Sequence, residues 1–381
     1  MTYEELELAF RRHMYFSHDP DELLAVVSVI LAQQLDTIPV WMFLIAPSGG
    51  GKSMILEAAA GCPEKVYVTD ILTPKSLISA YREPGRKSGK INPDFSLMSK
   101  LNGKTLVIPD FMAILDTDAR ARNEVFGQLR QAFSGRLQRD TGLGKIAMSA
   151  KFNMICGGTM VVDRFREQDV AMGERFLTYR SRQIGGRELG MMALRATSDD
   201  FMTLELQASM GAFLVSNEIT PLIPVLPEDT NEMLLRWAEA SVRLRNSVST
   251  NEYTGEISYP VDRSEEVTRM LKQLKTMFYA ASSLSQDPHR AIRLVAKITM
   301  DCIPFPRFKA IAGIMHGAAD AGDLSDRFLK VGPRTMGKIL RELTALGAIT
   351  VRTRRIRVTD RTRCFIEEVA SFSDASEQLA R

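Results

Sequence analysis

Cysteine is scarce and widely spread in this sequence. Cys62, Cys156, Cys302 and Cys364 are the only four in 381 residues, with neither zinc-ligand spacing nor the density of a secreted disulfide scaffold. Reduced thiols are expected. Histidine is equally rare: His13, His18, His289 and His316 show no metal-binding rhythm, although His13 and His18 could meet a distant carboxylate. Nowhere does the chain hold the roughly 18–20 successive apolar residues that crossing a bilayer needs, and the opening MTYEELELAFRRH has no long apolar core. A cytoplasmic protein without a membrane is the expectation. Repeats and low-complexity tracts are lacking too. So is a strong net charge: 49 Lys and Arg against 46 Asp and Glu leave +3, so an argument for nucleic acid must rest on where the positive residues sit.

What is present is a chain that folds, 45% hydrophobic and 25% charged, long enough for two or three domains. Residues 19–35, DPDELLAVVSVILAQQL, have helical periodicity, with Asp19 or Asp21 available as a cap and Pro20 tolerated in the first turn. VWMFLIA, 40–46, is a short continuous apolar run of the kind buried on both faces of a sheet. KVYVTD (65–70), KTLVIPD (104–110) and KFNMICGGT (151–159) read as further strands, separated by helical stretches, which predicts an α/β domain with a mainly parallel sheet over residues 1–190. From 200 to 300 the strand signals fade and amphipathic helices predominate. The link around GGRELGMMALRATSDD is polar and contains glycine at its start.

The first apolar run leads into APSGGGKS, Ala46 to Ser53, and then into a helix-forming MILEAAAG. This fits the phosphate-binding P-loop pattern, except that Ala46 stands where the first glycine is usual. Small residues are needed because the backbone must curl until several N–H groups converge on a phosphate. Ala46, Pro47, Ser48, Gly49, Gly50 and Gly51 would form that cradle. Lys52 would reach the β- and γ-phosphates of ATP, and Ser53 would offer its hydroxyl to Mg²⁺ at the positive end of the new helix. A second metal-side carboxylate should lie at the tip of a neighbouring strand, and TLVIPD supplies Asp110. Phe111 follows it where many ATPases place a water-activating Glu. The general base stays open among Asp70, Glu124, Asp116 and Asp118. Thr159 ends the strand KFNMICGGT and could sense the γ-phosphate or hold the attacking water, with Asn153 a weaker choice. GERFLTYR carries Arg175 and Arg180; Arg175 is the preferred arginine finger, reaching the nucleotide of a neighbouring subunit.

APSGGGKS, LNGKTLVIPDF, FGQLRQAFSGRLQRDTG and GERFLTYR together resemble the P-loop ATPases encoded by phages and integrated mobile elements. These are themselves similar to AAA+ proteins of the minichromosome-maintenance helicase type. The resemblance covers residues 40–182 well and the rest loosely. It implies an AAA+ P-loop core with a parallel sheet flanked by helices, a helical lid over 200–300 and a hexameric homo-oligomer. SEEVTRMLKQLKTMFYAAS is similar to the lid segment, which would make Arg269 the arginine reaching nucleotide from the lid. Ala46 and Phe111 depart from the pattern, and Phe111 bears on hydrolysis more than on binding.

Residues 304–381 read differently. PRFKAIAGIMHGAAD and VGPRTMGKILRELTALG are helical, and AITVRTRRIRVTD alternates as a short ribbon would. Two helices and a ribbon predict a winged helix-turn-helix. Between 330 and 363 stand Lys330, Arg334, Lys338, Arg341, Arg352, Arg354, Arg355, Arg357, Arg361 and Arg363 against Glu342 and Asp360, which leaves the rest of the chain net acidic. Such a field suits a phosphate backbone, with helix 333–346 facing a groove and Arg354 and Arg355 at the wing. Aromatics are few there, so stacking on single strands is not supported and double-stranded DNA is the expected partner. The same arginines could instead serve protein contacts. The basic stretch within 82–104 either faces DNA in the channel of a ring or is an ordinary loop. The expectation is a DNA-binding ATPase acting as a replicative helicase or initiator of a phage or mobile element. The alternatives are a helicase loader or ATP-controlled switch, and a regulatory or defence ATPase whose winged helix holds a protein.

Overall fold

The computed structural model describes residues 1–13, 21–47, 49, 51–79, 96–141, 144–163, 175–182, 187, 199–250, 257–258, 267–352 and 355–372. They divide into two compact units, Met1–Ile223 with Tyr279–Pro288, and Pro224–Phe278 with His289–Arg381. Among the described residues no helix is long and apolar enough to cross a membrane.

The first unit is built on five parallel strands: β1 (Trp41–Ile45), β2 (Val66–Val68), β3 (Thr105–Ile108), β6 (Asn153–Gly158) and β7 (Phe176–Arg180), in the order β2-β3-β6-β1-β7. An α/β unit with a parallel sheet flanked by helices is therefore what the alternation of strand and helix signals produces. β1, β3, β6 and β7 are buried along their whole length, as continuous apolar runs demand when both faces are covered. Aromatic rings fill one side of the core: Trp41 meets Phe133 edge-on at 5.0 Å, and Phe43 stacks on Phe176 at 4.2 Å. Of the helices, α1 (Tyr3–His13), α2 (Asp21–Leu31) and α3 (Lys52–Ala58) precede the second strand. Every residue of α2 is buried, so the expected helix of 19–35 is a core element that ends in a short 3₁₀ turn, Ala32–Gln34.

Two features of this unit were not anticipated. After α4 (Leu97–Leu101), α5 (Met112–Leu115) and α6 (Ala119–Phe133), an antiparallel hairpin of β4 (Arg136–Thr141) and β5 (Gly144–Ser149) stands outside the main sheet. Its buried Leu137 and Ile146 alternate with more exposed neighbours, the period-two signal of a half-buried ribbon. The second is helix α7 (Asp199–Ser216), which belongs to the sheet unit and not to a domain starting at 200. It crosses the turn after α3 backbone to backbone. A Cβ on Gly61 would collide with the Gln207 carbonyl, and one on Gly211 with the Gly61 carbonyl. Lys65 Nζ donates to the carbonyls of Leu214 and Asn217 at 2.6 and 3.1 Å, capping the end of α7.

The second unit contains α8 (Glu228–Arg245), a minimal pair β8 (Ser249–Thr250) and β9 (Ile257–Ser258), and most of α9 (Val267–Ser285) and α10 (Pro288–Asp301). These are followed by α11 (Phe305–Met315), α12 (Ala321–Leu324), α13 (Pro333–Ala345), the antiparallel ribbon β10 (Ile349–Arg352) and β11 (Arg355–Val358), and α14 (Asp360–Phe372). The expected division at residue 304 does not separate two bodies: α8 is tied into the C-terminal elements. Arg236 pairs with Glu368 at 2.7 Å, and Arg243 donates to Thr362 Oγ1 at 3.0 Å. Arg307 is the central tie. Buried at 4% exposure, it donates to Glu342 Oε2 at 3.0 Å and to the carbonyls of Leu244 and Asn246 at 3.0 and 2.7 Å, joining α8, α11 and α13.

Arg307→Ala removes the buried partner of two carbonyls and of Glu342, which keeps only the exposed Lys338 at 3.6 Å, so it is expected to cost the second unit about 3 kcal/mol in chemical denaturation. Removing Glu342 as well is expected to restore part of that loss, because the buried charge goes with it.

Candidate functional site

Parallel strands end on one edge, and the chemistry-bearing residues collect there. In the sheet Ile45 pairs with Gly158 on one side and Arg180 on the other. The loop leaves β1 held between them: Ala46 N donates to Gly158 O at 3.1 Å, and Ser181 N to Ile45 O at 2.9 Å. Ala46 is buried and Pro47 exposed. Gly49 and Gly51 take φ of 77° and 79°, left-handed conformations that explain why glycine stands at both. A Cβ on Gly49 would meet nothing within 4 Å, so backbone sign, not crowding, selects glycine there. Gly51 is the N-cap of α3, whose first residues are the buried Lys52 and half-buried Ser53. Ser48 and Gly50 lie outside the described residues.

Asp110 follows Pro109 just beyond β3 and is exposed; one carboxylate oxygen accepts from Met112 N at 3.0 Å. The strand carrying it is not the immediate neighbour of β1 as expected: β6 lies between them. The intervening strand puts Thr159 between loop and carboxylate along the edge. The half-buried Thr159 hydroxyl donates to Met112 Sδ at 3.7 Å, a weak acceptor that a stronger one displaces at little cost. Asn153 does not share this edge. It stands at the start of β6, where its amide accepts from Val40 N and donates to Val29 O, a structural role.

Phe111 has a physical reason to be where an acid was anticipated. Its backbone N–H donates to Gly157 O at 2.8 Å, and its ring is buried against Phe43 at 5.2 Å and Phe126 at 6.3 Å. A carboxylate at 111 would be driven into the core. Among the candidate bases, Asp118 is consumed as the cap of α6, accepting from Arg120 N and Ala121 N, and Glu124 lies 3.6 Å from Arg139. Asp116 and Asp70 are exposed, Asp70 just past the carboxyl end of β2.

Arg175 and Arg180 part company. Arg175 immediately precedes β7, whose first residue Phe176 pairs with Trp41, and its guanidinium lies 5.8 Å from the Phe133 ring centre. Five residues of strand, about 16 Å, separate it from the loop edge, so it cannot serve the loop of its own chain. Arg180, at the loop edge, pairs with Asp163 at 2.8 Å, both buried, and reaches Met160 Sδ at 3.5 Å. It ties the turn after Thr159 to β7. Arg269 lies near the start of α9, in the second unit.

Two glycines went unnoticed in sequence. A Cβ on Gly157 would collide with the Pro109 carbonyl and crowd Leu56 of α3 at 3.0 Å; one on Gly158 would come within 2.6 Å of Val162. The signal was available as a Gly-Gly pair ending an apolar strand. Gly157 lets β6 approach the end of β3 and α3, and Gly158 lets the turn that follows β6 fold back on it.

No metal-type group of three or more His, Cys, Asp or Glu occurs among the described residues. Ser53 and Asp110 are nevertheless adequate for Mg²⁺, which is commonly held by one or two protein groups, substrate phosphates and water. His13 does meet a carboxylate, Glu205 Oε2 at 3.0 Å, in a hydrogen bond between α1 and α7. Cys62, Cys156 and Cys302 are buried and unpaired by disulfide, and Cys364 is exposed; burial pushes the Cys156 thiol well up.

In the second unit, α13 buries Met336, Ile339 and Leu343 and exposes Arg334, Lys338 and Arg341 at i, i+4 and i+7. Lys338 lies 3.6 Å from Glu342. On the ribbon, Arg352, Arg355 and Arg357 are exposed, while Ile349, Ile356 and Val358 are buried. Arg354 and the basic stretch 82–90 lie outside the described residues. No family model matches the chain, and no curated protein is significantly similar to it.

Gly157→Ala is expected to lower stability by about 1–3 kcal/mol in urea denaturation, since main chain on β3 must yield to the added methyl. A midpoint within error of the wild type would remove the case for a tight convergence of strand tips.

Proposed function

We propose that this chain is a P-loop ATPase of the AAA+ kind that acts on DNA, with the C-terminal elements serving as a winged helix-turn-helix. One observation carries the reading: the glycine loop, Lys52, Ser53, Asp110 and Thr159 come from separate segments and share the carboxyl edge of one parallel sheet. Such edges are where open α/β sheets take ligands.

In this reading main-chain amides of the loop cradle the β-phosphate of ATP, and the Lys52 ammonium neutralises the charge shared by β- and γ-oxygens. Ser53 and Asp110 hold Mg²⁺, which supplies electrophilic stabilisation when bound. Thr159 exchanges its thioether partner for a γ-phosphate oxygen or the attacking water, at a position fixed by the Arg180–Asp163 pair. Arg175 acts only on the nucleotide of a second copy, which calls for a ring, six copies by resemblance. Arg334, Lys338 and Arg341 on α13 and Arg352, Arg354, Arg355 and Arg357 on the wing grip double-stranded DNA through phosphates. The biological task that suits these parts is replicative unwinding or initiation for a phage or mobile element.

A second reading, a loader or ATP-controlled switch, is favoured by the burial of Phe111, which leaves no acid beside Asp110 to activate water. A forked duplex separates the two: a helicase displaces strands with ATP, whereas a switch binds DNA under ATP control and displaces none.

Titration calorimetry with ATP and Mg²⁺ tests the cradle. Lys52→Ala is expected to weaken binding about 100-fold or more, and Asp110→Asn to keep nucleotide while slowing hydrolysis about 10²-fold. A folded wild-type protein that takes up no triphosphate would overturn the proposal. Duplex affinity is expected to fall with salt at a log–log slope of about −4 to −6, as for five or six neutralised phosphates.

A further inference from the structure

The ribbon contains an arrangement that folding alone disfavours. In its antiparallel register Arg352 faces Arg355, and Thr350 faces Arg357. Residues on alternate positions share a face, so one side of the ribbon consists of Thr350, Arg352, Arg355 and Arg357, all exposed. Among the described residues none of the three arginines has a carboxylate within ion-pair distance, whereas nearby Lys338, Arg361 and Arg363 each have one, in Glu342, Glu239 and Glu367. Directly opposed side chains have Cβ atoms about 5 Å apart, and like charges so placed work against the pairing of strands. The ribbon is held from its other face, where Ile349, Ile356 and Val358 are buried, so the opposed charges are tolerated at a cost to stability.

We propose that Arg352 and Arg355 form a clamp for a single backbone phosphate of duplex DNA, with Arg357 taking the next, and that their mutual repulsion in the free protein is the cost of keeping the clamp open. This rests on the DNA-binding reading and specifies its contact. A phosphate between two guanidinium groups turns repulsion into two charge-assisted hydrogen-bonded contacts. With both guanidinium groups engaged by a backbone phosphate, neither is left to read a base edge, so the clamp is indifferent to sequence.

The test uses the full chain and the variants R352Q, R355Q, the double variant and R355K. Thermal melts at about 25 mM salt are expected to rise by about 1–3 °C for each glutamine variant, with the gain gone at about 0.5 M salt and absent in R355K. Binding of a mixed-sequence 20-base-pair duplex, followed by fluorescence anisotropy, is expected to fall about tenfold for each single glutamine variant. The double variant should fall well short of 100-fold, because both arginines hold one phosphate. Unchanged or lower melting temperatures, or losses of affinity that multiply, would overturn the clamp. Glutamine variants that bind as well as a salt-sensitive wild type would overturn it while leaving α13 as the DNA contact. A wild type that binds no duplex would overturn the DNA reading along with it.

Discussion

A strand can pass directly into a helix only where the backbone turns sharply without side chains in the way, and the first unit is arranged around one such turn. β1 ends in a loop whose Gly49 and Gly51 adopt left-handed conformations, and α3 starts at once with Lys52. Because all five strands run the same way, Asp110 and Thr159 emerge on the same edge without any further device. The strand order then decides their spacing: β6 stands between β1 and β3. Gly157 lets the tip of β6 approach the end of β3 and α3, and Gly158 leaves room for Val162 in the turn that follows.

The second unit depends on a different interaction. Arg307 is buried and satisfied by one carboxylate and two carbonyls from three parts of the chain. A buried guanidinium is tolerated only when so many of its donors are used, and this fixes α13 relative to α8. α13 therefore presents Arg334, Lys338 and Arg341 from a rigid base. The ribbon beside it is the opposite case, with exposed like charges and, among the described residues, no carboxylate within ion-pair distance of Arg352, Arg355 or Arg357.

Much of the first unit was legible because its signals are local. A buried parallel strand is a short apolar run, and a tight strand-to-helix turn is a glycine cluster, so the strand at 40–46 and the turn after it could be read without their neighbours. β7 is harder to read, since GERFLTYR stands out for Arg175 and Arg180 and its apolar run is short, and β4–β5 follows directly on a helical pattern. α7 was assigned to the wrong body because helical spacing says nothing about which surface a helix covers; the Gly61–Gly211 crossing that seats it joins residues 150 positions apart. Phe111 shows the reverse: sequence marked a missing acid, and packing against Phe43 and Phe126 gave the reason.

The sequence by itself determined which backbone segments can curl around phosphate and where positive charge accumulates, because glycine freedom and formal charge are properties of single residues and their near neighbours. Only the tertiary structure decided that Arg175 stands at the far end of β7 from its own loop while Arg180 flanks it, that Asp118 is a helix cap, and that Arg352 opposes Arg355. Those outcomes depend on strand direction and register, which are set by the simultaneous burial of distant apolar faces and are written in no single stretch of the chain.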